Sequence, residues 1–236
     1  MSVYVTGDKH GHLGMPVLVK RRRRKSLGEG DKLIIAGDFG LVWRRPPGVQ
    51  EQHWLRWLDE QKWETLFVDG NHENFELLNR MPEEQRYGGL VGRVGEKIFH
   101  LKRGTIYEIE EKSILTMGGA LSVDKNSRTP YVAWWPEEIP SYADLSNCLD
   151  SIHKWGGEVD YVITHTCPRE VALHLEGVYG FGKLDDPTGK ILSHIASAVK
   201  FKRWFFGHWH IEKTYGKFQC IYDDIVMLGQ ESLPDI

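Results

Sequence analysis

Apolar positions in this chain gather into short runs, and five of the runs stop at a polar turn marked by glycine, asparagine or histidine. Residues 3–5 (Val-Tyr-Val) lead into "TGDKHGH", and residues 32–36 of "KLIIAGDFG" lead to Asp38. Residues 65–68 of "TLFVDGNHE" lead to Asn71 and His72. Residues 159–163 of "VDYVITHTCP" lead to His165, and residues 203–206 of "RWFFGHWH" lead to His208 and His210. Such near-continuous apolar stretches predict strands covered on both faces. Between them, residues 50–62, 73–80, 144–155 and 187–199 carry helical spacing, with Trp54, Leu55, Trp57 and Leu58 on one stripe of the first. Strand, polar loop, helix, strand is the rhythm of an α/β domain.

Two regions break that rhythm. "TIYEIEEKSILTM", residues 105–117, alternates around Glu110-Glu111 and predicts a hairpin; residues 213–228 predict further antiparallel strands, turning at Tyr222-Asp223-Asp224. No internal repeat, linker or low-complexity boundary divides the chain, so residues 1–236 are read as one domain.

Composition narrows the class without naming it. Hydrophobic content of 41% and charged content of 27% are ordinary for a globular protein, and a net charge of -3 argues against a broad nucleic-acid surface. Cys148, Cys167 and Cys220 are too few and too scattered for a disulfide framework, which suits reduced thiols in the cytoplasm. No apolar run approaches the roughly 20 residues of a membrane span, and the N-terminal run is too short for a signal peptide.

The candidate chemistry lies at the strand ends, where open α/β sheets bind their ligands. Asp8, His10, Asp38, Asn71, His72, His165, His208 and His210 all follow strands. Residues i and i+2 of an extended segment share a side, so Asp8 with His10, and His208 with His210, are expected to chelate in pairs. Mixed imidazole, carboxylate and amide donors suit Mn²⁺, Fe or Zn²⁺. The set is too large for one tetrahedral site, and two metals sharing a carboxylate is the economical solution.

"GDKHG", "GDFG", "GNHE", "THTCP" and "GHWH", in that order, resemble the calcineurin-like metallophosphoesterases over nearly the whole chain. The resemblance implies a four-layer αββα sandwich, two mixed β-sheets flanked by helices. It implies that Asp8, His10 and His210 bind one metal, that Asn71, His165 and His208 bind a second, and that Asp38 bridges them. It makes His72 the catalytic histidine. The implied activity is phosphoester hydrolysis by a metal-bridging hydroxide, with two divalent ions, Mn²⁺ foremost, and a phosphodiester as substrate. The alternatives are a phosphomonoesterase on nucleotides or phosphoproteins, and a nucleic-acid-binding protein with a structural metal. The implied partner is a phosphoester, a nucleotide or nucleic acid among them, with no membrane and no obligate protein partner.

Where serine/threonine protein phosphatases of this superfamily add a Val-Asp-Arg-Gly element, "GDFG" here runs on as "LVWRRP". The later "GGALSVDKNSRTPYVAWWPEE" resembles a segment of small bacterial and phage metallophosphoesterases and, more loosely, of RNA lariat debranching enzymes. Within it Arg128, with Lys125 as a weaker partner, is a candidate substrate contact, because a guanidinium fork matches phosphate oxygens two at a time. A salt bridge from Arg128 to Glu137 or Glu138 is the competing reading. Trp134 and Trp135 are read as packing, with an aromatic wall for a nucleobase as the sharper option. "KRRRRK", residues 20–25, is read as a solvated helix face, and His12, His53, His100, His153, His174 and His194 as surface or hydrogen-bonded core residues.

Overall fold

The computed structural model describes residues 1–25, 27–179 and 186–230, with the side chains of 22–25 and 179 left aside. Thirteen strands form two mixed sheets among these residues. The first sheet contains β1 (Val3–Thr6), β2 (Lys32–Ala36), β3 (Glu64–Val68), β4 (Glu83–Arg86), β5 (Gly89–Arg93), β6 (Ile98–Leu101) and β13 (Ile225–Met227), in the order β13-β1-β2-β3-β6-β5-β4. The second contains β7 (Thr105–Ile109), β8 (Lys112–Met117), β9 (Glu158–Thr164), β10 (Lys200–Phe206), β11 (Lys213–Tyr215) and β12 (Phe218–Cys220), in the order β11-β12-β10-β9-β8-β7.

Side-chain alternation divides each strand between two cores. Val3, Val5, Ile34, Ala36, Leu66 and Val68 of the first sheet meet Ile114, Tyr161, Ile163 and Phe205 of the second. The intervening Tyr4, Leu33, Ile35 and Phe67 face outward onto Met15 and Leu18 of α1 (Met15–Lys25), Leu58 of α2 (Val49–Asp59) and Leu78 of the short α3 (Phe75–Leu78). On the far side Leu115, Met117, Val162, Trp204 and Phe206 pack on α4 (Tyr142–Trp155), α5 (Arg169–Tyr179) and α6 (Pro187–Ala198). Helices, sheet, sheet and helices therefore form four layers. Each fully buried aliphatic or aromatic side chain contributes roughly 1.5–3 kcal/mol, and apolar faces on both sides explain why the runs are not polar at alternate positions.

Helix ends follow local chemistry. Ser141 caps α4, its hydroxyl accepting from Asp144 N (3.1 Å) while the Asp144 carboxylate accepts from Ser141 N (2.7 Å). Asp186 caps α6 through Thr188 N (2.8 Å), with Pro187 in the first turn.

Several elements depart from the sequence reading. α5 is absent from it, although Val171, Ala172 and Leu175 fall on one buried stripe. β4 and β5, and β6 beside them, extend the first sheet through a segment given no structure. The predicted 105–117 hairpin is β7–β8, turning through Glu110 and Glu111. Residues 213–228 do not stay together: β11 and β12 join the second sheet, β12 parallel to β10, whereas β13 crosses to pair antiparallel with β1. In the basic run the backbone is helical to Lys25, and Arg21 pairs with Asp224 at 2.9 Å; the side chains of 22–25 lie outside the described residues.

Candidate metal centre

β1, β2 and β3 are parallel neighbours, with Thr6 opposite Ile35 and Ala36 opposite Val68. Their carboxyl ends therefore lie abreast and deliver Asp8, Asp38 and Asn71 to one edge. β9 and β10 are likewise parallel, Thr164 opposite Phe206, and deliver His165, His208 and His210. The turns are tight. His10, Asp38, His208 and His210 all have φ between 46° and 64°. The left-handed region costs a non-glycine residue roughly 1–2 kcal/mol, although short polar side chains tolerate it best. Gly37, at φ 93°, and Gly70 permit close approach: a Cβ on the first would overlap the His165 ring, and on the second the Asp38 carboxylate.

This geometry corrects one expectation. The segment from 208 to 210 is not extended, and its two histidines part company. His210 Nε2 lies 2.9 Å from Asp8 Oδ2 and 3.0 Å from His10 Nε2. The His208 ring instead meets His165 edge-on, with centroids 5.0 Å apart.

Asp38 sits between the two groups. Its Oδ2 is 3.5 Å from His10 Nδ1, and its Oδ1 is 3.4 Å from His165 Nε2 and accepts from His72 N at 2.8 Å. Three overlapping sets bring their donor atoms within 4.8 Å of one another: Asp8, His10 and His210; His10, Asp38 and His72; and Asp8, Asp38 and His165. Burial pushes the Asp38 carboxyl up, but the charges of His165, His72 and His10 outweigh it and hold the pKa at about 2. Asp8 is buried too, and the hydrogen bond from His210 and the charge of His165 still leave it below the ordinary value. Burial lowers the His72 pKa, with Arg128 and the other histidines adding to the effect and Asp38 opposing it.

Buried polar residues outside the expected ligand set support this edge. Glu73, fully buried, accepts from Phe39 N (2.7 Å) and Gly40 N (3.2 Å), and so fixes the turn that carries Asp38. It is the last letter of "GNHE", so a signal for it was present. Glu138, also fully buried, accepts from Ser122 N (2.8 Å) and Ser122 Oγ (2.7 Å). Ser122 Oγ in turn accepts from Asn71 Nδ2 at 3.0 Å, which turns Asn71 Oδ1 toward His165 Nε2, 3.0 Å away. Asp69 accepts from His100 Nε2 (3.1 Å) and from Arg103 Nε (2.9 Å) and Nη2 (2.6 Å). Arg103 Nη2 also donates to Glu137 O (2.8 Å), tying the 118–138 segment to the end of β3. Lys9, between two candidate ligands, is buried and donates to Tyr222 O (3.0 Å); burial lowers its pKa to about 8.

The donor set fits divalent metal. Imidazole nitrogens, carboxylates and one amide oxygen converge, and the amide is turned so that its oxygen faces inward, as intermediate-hardness cations require. The calcineurin-like phosphoesterase family model matches residues 1–212. The chain belongs to that family. Its members hydrolyse phosphoesters with divalent metal, and this chain carries candidate ligands for it. No curated protein matches the chain. Among solved structures it is similar to Thermus thermophilus sulfate thiohydrolase SoxB in complex with glycerol, at 14% identity and a TM-score of 0.40, over 92% of this chain and 38% of SoxB. The chain thus spans well under half of SoxB's length.

A cavity of about 200 Å³ opens above the candidate centre, lined by His10, Asp38, Asn71, His72, His208 and His210 and, across from them, by Asp124 and Arg128. Arg128 Nη1 donates to His72 Nδ1 at 3.0 Å. Its salt bridge runs to Asp124 Oδ2 (2.8 Å), four residues earlier, and not to Glu137 or Glu138. The Glu138 carboxylate is engaged with Ser122, and among the described residues neither Glu137 nor Glu138 forms an ion pair with Arg128. Lys125 is not among the residues lining this cavity, and its Nζ lies 6.0 Å from the Trp134 ring centroid. Trp135 is buried and meets Trp43 edge-on. Of the remaining histidines, His100 is buried on Asp69, His174 stacks on Tyr215, His53 meets Trp54 edge-on, and His12 lines a larger adjoining cavity.

Proposed function

We propose that the chain is a single-domain, dinuclear metal-dependent phosphodiesterase. In this reading Asp8, His10 and His210 hold one divalent ion, Asn71, His165 and His208 hold the other, and Asp38 is shared. The observation that carries it is the position of the Asp38 carboxylate, one oxygen toward His10 and the other toward His165. Mn²⁺ is the leading ion, with Fe and Zn²⁺ using the same donors. When bound, the pair supplies Lewis-acid polarisation of the phosphoryl group and acidifies water.

The protein's own groups account for the rest. Arg128 faces both ring nitrogens of His72, Nη1 3.0 Å from Nδ1 and Nη2 3.5 Å from Nε2. Once a phosphate draws the guanidinium away, the ring is free to take up a proton and pass it from the imidazolium to the leaving oxygen of the substrate. Arg128 lies on the opposite wall, where its fork can pass from His72 and Asp124 to two phosphate oxygens. Preference for diesters is supported by space: the 200 Å³ cavity suits a phosphoryl group, and the adjoining cavity of about 630 Å³ accommodates a second substituent. The buried, unpaired thiols of Cys148, Cys167 and Cys220 suit a cytoplasmic setting.

Turnover of bis(p-nitrophenyl) phosphate and p-nitrophenyl phosphate with Mn²⁺, alongside metal analysis, tests the reading. Two ions per chain and faster diester cleavage are expected. Monoester cleavage alone would favour the phosphomonoesterase, and metal without any turnover would favour a structural site. His72→Ala should retain both ions yet lower kcat about 10²–10⁴-fold, less for good leaving groups.

A further inference from the structure

We infer that the 630 Å³ cavity beside the metal centre is a nucleoside subsite, in which Trp43 stacks on the base of the phosphoester; this rests on the phosphodiesterase reading above. The cavity shares His10 and His72 with the smaller one, so a group held there is joined to the reacting phosphorus without a gap. Its volume falls in the range of small-molecule sites, roughly 300–1,000 Å³. The metal ligands grip only a phosphoryl core, so discrimination among phosphoesters must come from walls further out.

Those walls have the right character. Trp43 lines the cavity together with Leu13 and Val49, which are 68% and 83% exposed, large apolar groups left in water beside a polar centre. Gln50 adds an amide able to meet the polar edge of a base. A flat indole gains most from another flat π-face, and base stacking on an aromatic side chain tolerates any base. An alkyl or sugar substituent offers no such face.

Trp43 is also held firmly, which separates a platform from a loose surface residue. The Glu51 carboxylate accepts from Trp43 N (2.7 Å), Arg44 N (3.0 Å) and Gly48 N (2.7 Å). Asn74 Nδ2 donates to Trp43 O (3.0 Å), and Trp135 meets the indole edge-on at 5.4 Å and 89°. Asn74 is two residues from His72, so one short segment places both the catalytic candidate and the platform. A ring ordered before binding loses little entropy on stacking.

Calorimetric titration of the full chain with thymidine 5′-monophosphate and with methyl phosphate provides the test. The nucleotide should bind about 5–150-fold more tightly, the range of one base–aromatic stack. Trp43→Ala should remove most of that ratio by weakening only the nucleotide, and Trp43→Phe should keep it. Val49→Ser, at an exposed first helical position, should narrow the ratio without disturbing the fold. Equal binding of the two ligands by the unmodified chain, or equal weakening of both by Trp43→Ala and Val49→Ser, would overturn the subsite. Failure of the hydrolase reading is told apart by turnover: absent cleavage of bis(p-nitrophenyl) phosphate sinks that reading and leaves the binding ratio standing.

Discussion

The two sheets bring different chemistry to their shared edge. The first carries every anionic and amide donor of the candidate centre, Asp8, Asp38 and Asn71, along with His10 and His72. The second carries imidazole alone, in His165, His208 and His210. Neither half is a balanced site. The carboxylates are buried, and histidines from the opposite sheet are among the groups that keep them ionised. The backbone crosses the seam as well, His208 N donating to Asp8 Oδ1 at 2.9 Å. Packing of the sandwich and electrostatic completion of the centre are one event. The difference also makes the first sheet the place where a single substitution does most harm, because only there is a charge removed.

Asp38→Asn should break the comparison most severely. It keeps the shape and removes the charge facing both groups, so kcat/KM should fall about 10²–10⁴-fold with loss of metal. Near-normal turnover and metal content would refute the shared carboxylate. Ser122→Ala comes next, since it frees the Asn71 amide to turn while replacing no candidate ligand; metal affinity or activity should fall about 10–100-fold. Unchanged affinity in that variant would mean that Asn71 is oriented by other contacts.

Arg128→Ala sharpens the view from outside both sheets. KM should rise about 10-fold with little change in Tm, because the bond to Asp124 is an exposed pair of small worth. A lower Tm with unaltered kinetics would return Arg128 to a structural role. The smallest effect is expected at the opposite ends of β2 and β3. There Glu64 contacts Lys32 (3.0 Å), Arg86 (2.7 Å) and the Tyr87 hydroxyl. Burial opposes ionisation of Glu64, but Tyr87, Arg86 and Lys32 prevail and hold its pKa at about 2, below the ordinary 4.5. The folded pKa is depressed, so this stabilisation is complete above pH 4.5 and disappears as pH falls toward 2. Each of these partly exposed pairs contributes about 0.2–1 kcal/mol. Glu64→Gln should therefore lower Tm slightly near pH 7, converge with the parent below pH 4.5, and leave kcat unchanged. A gap in Tm that widened toward low pH would contradict the assignment.

The candidate site was legible because its residues announce themselves locally. An apolar run leading to an Asp, Asn or His recurs at five places, with a glycine between them at four, and those places are the carboxyl ends of β1, β2, β3, β9 and β10. What surrounds the site was less legible. Glu138 and Asp69 look like ordinary surface acids in the sequence, and only burial with Ser122 or with His100 and Arg103 reveals their use. The Arg128–Asp124 pair has i,i+4 spacing, a local signal, whereas Glu137 and Glu138 lie nine and ten residues away. α5 follows a candidate ligand turn and Pro168, and its short apolar stripe was overshadowed by the motif before it.

By itself the sequence determined the five strands that lead to the candidate site, their two-faced burial and the residue types at their ends, because apolar periodicity and turn chemistry act over a few neighbouring positions. Tertiary structure alone decided which ends meet. It sent β13 to the first sheet and β12 to the second, parted His208 from His210 through left-handed turns, and set Trp43 beside His72 on a loop held by Glu51 and Asn74. Those outcomes depend on contacts between residues far apart in the chain, where burial and hydrogen-bond satisfaction are settled jointly and no local window contains both partners.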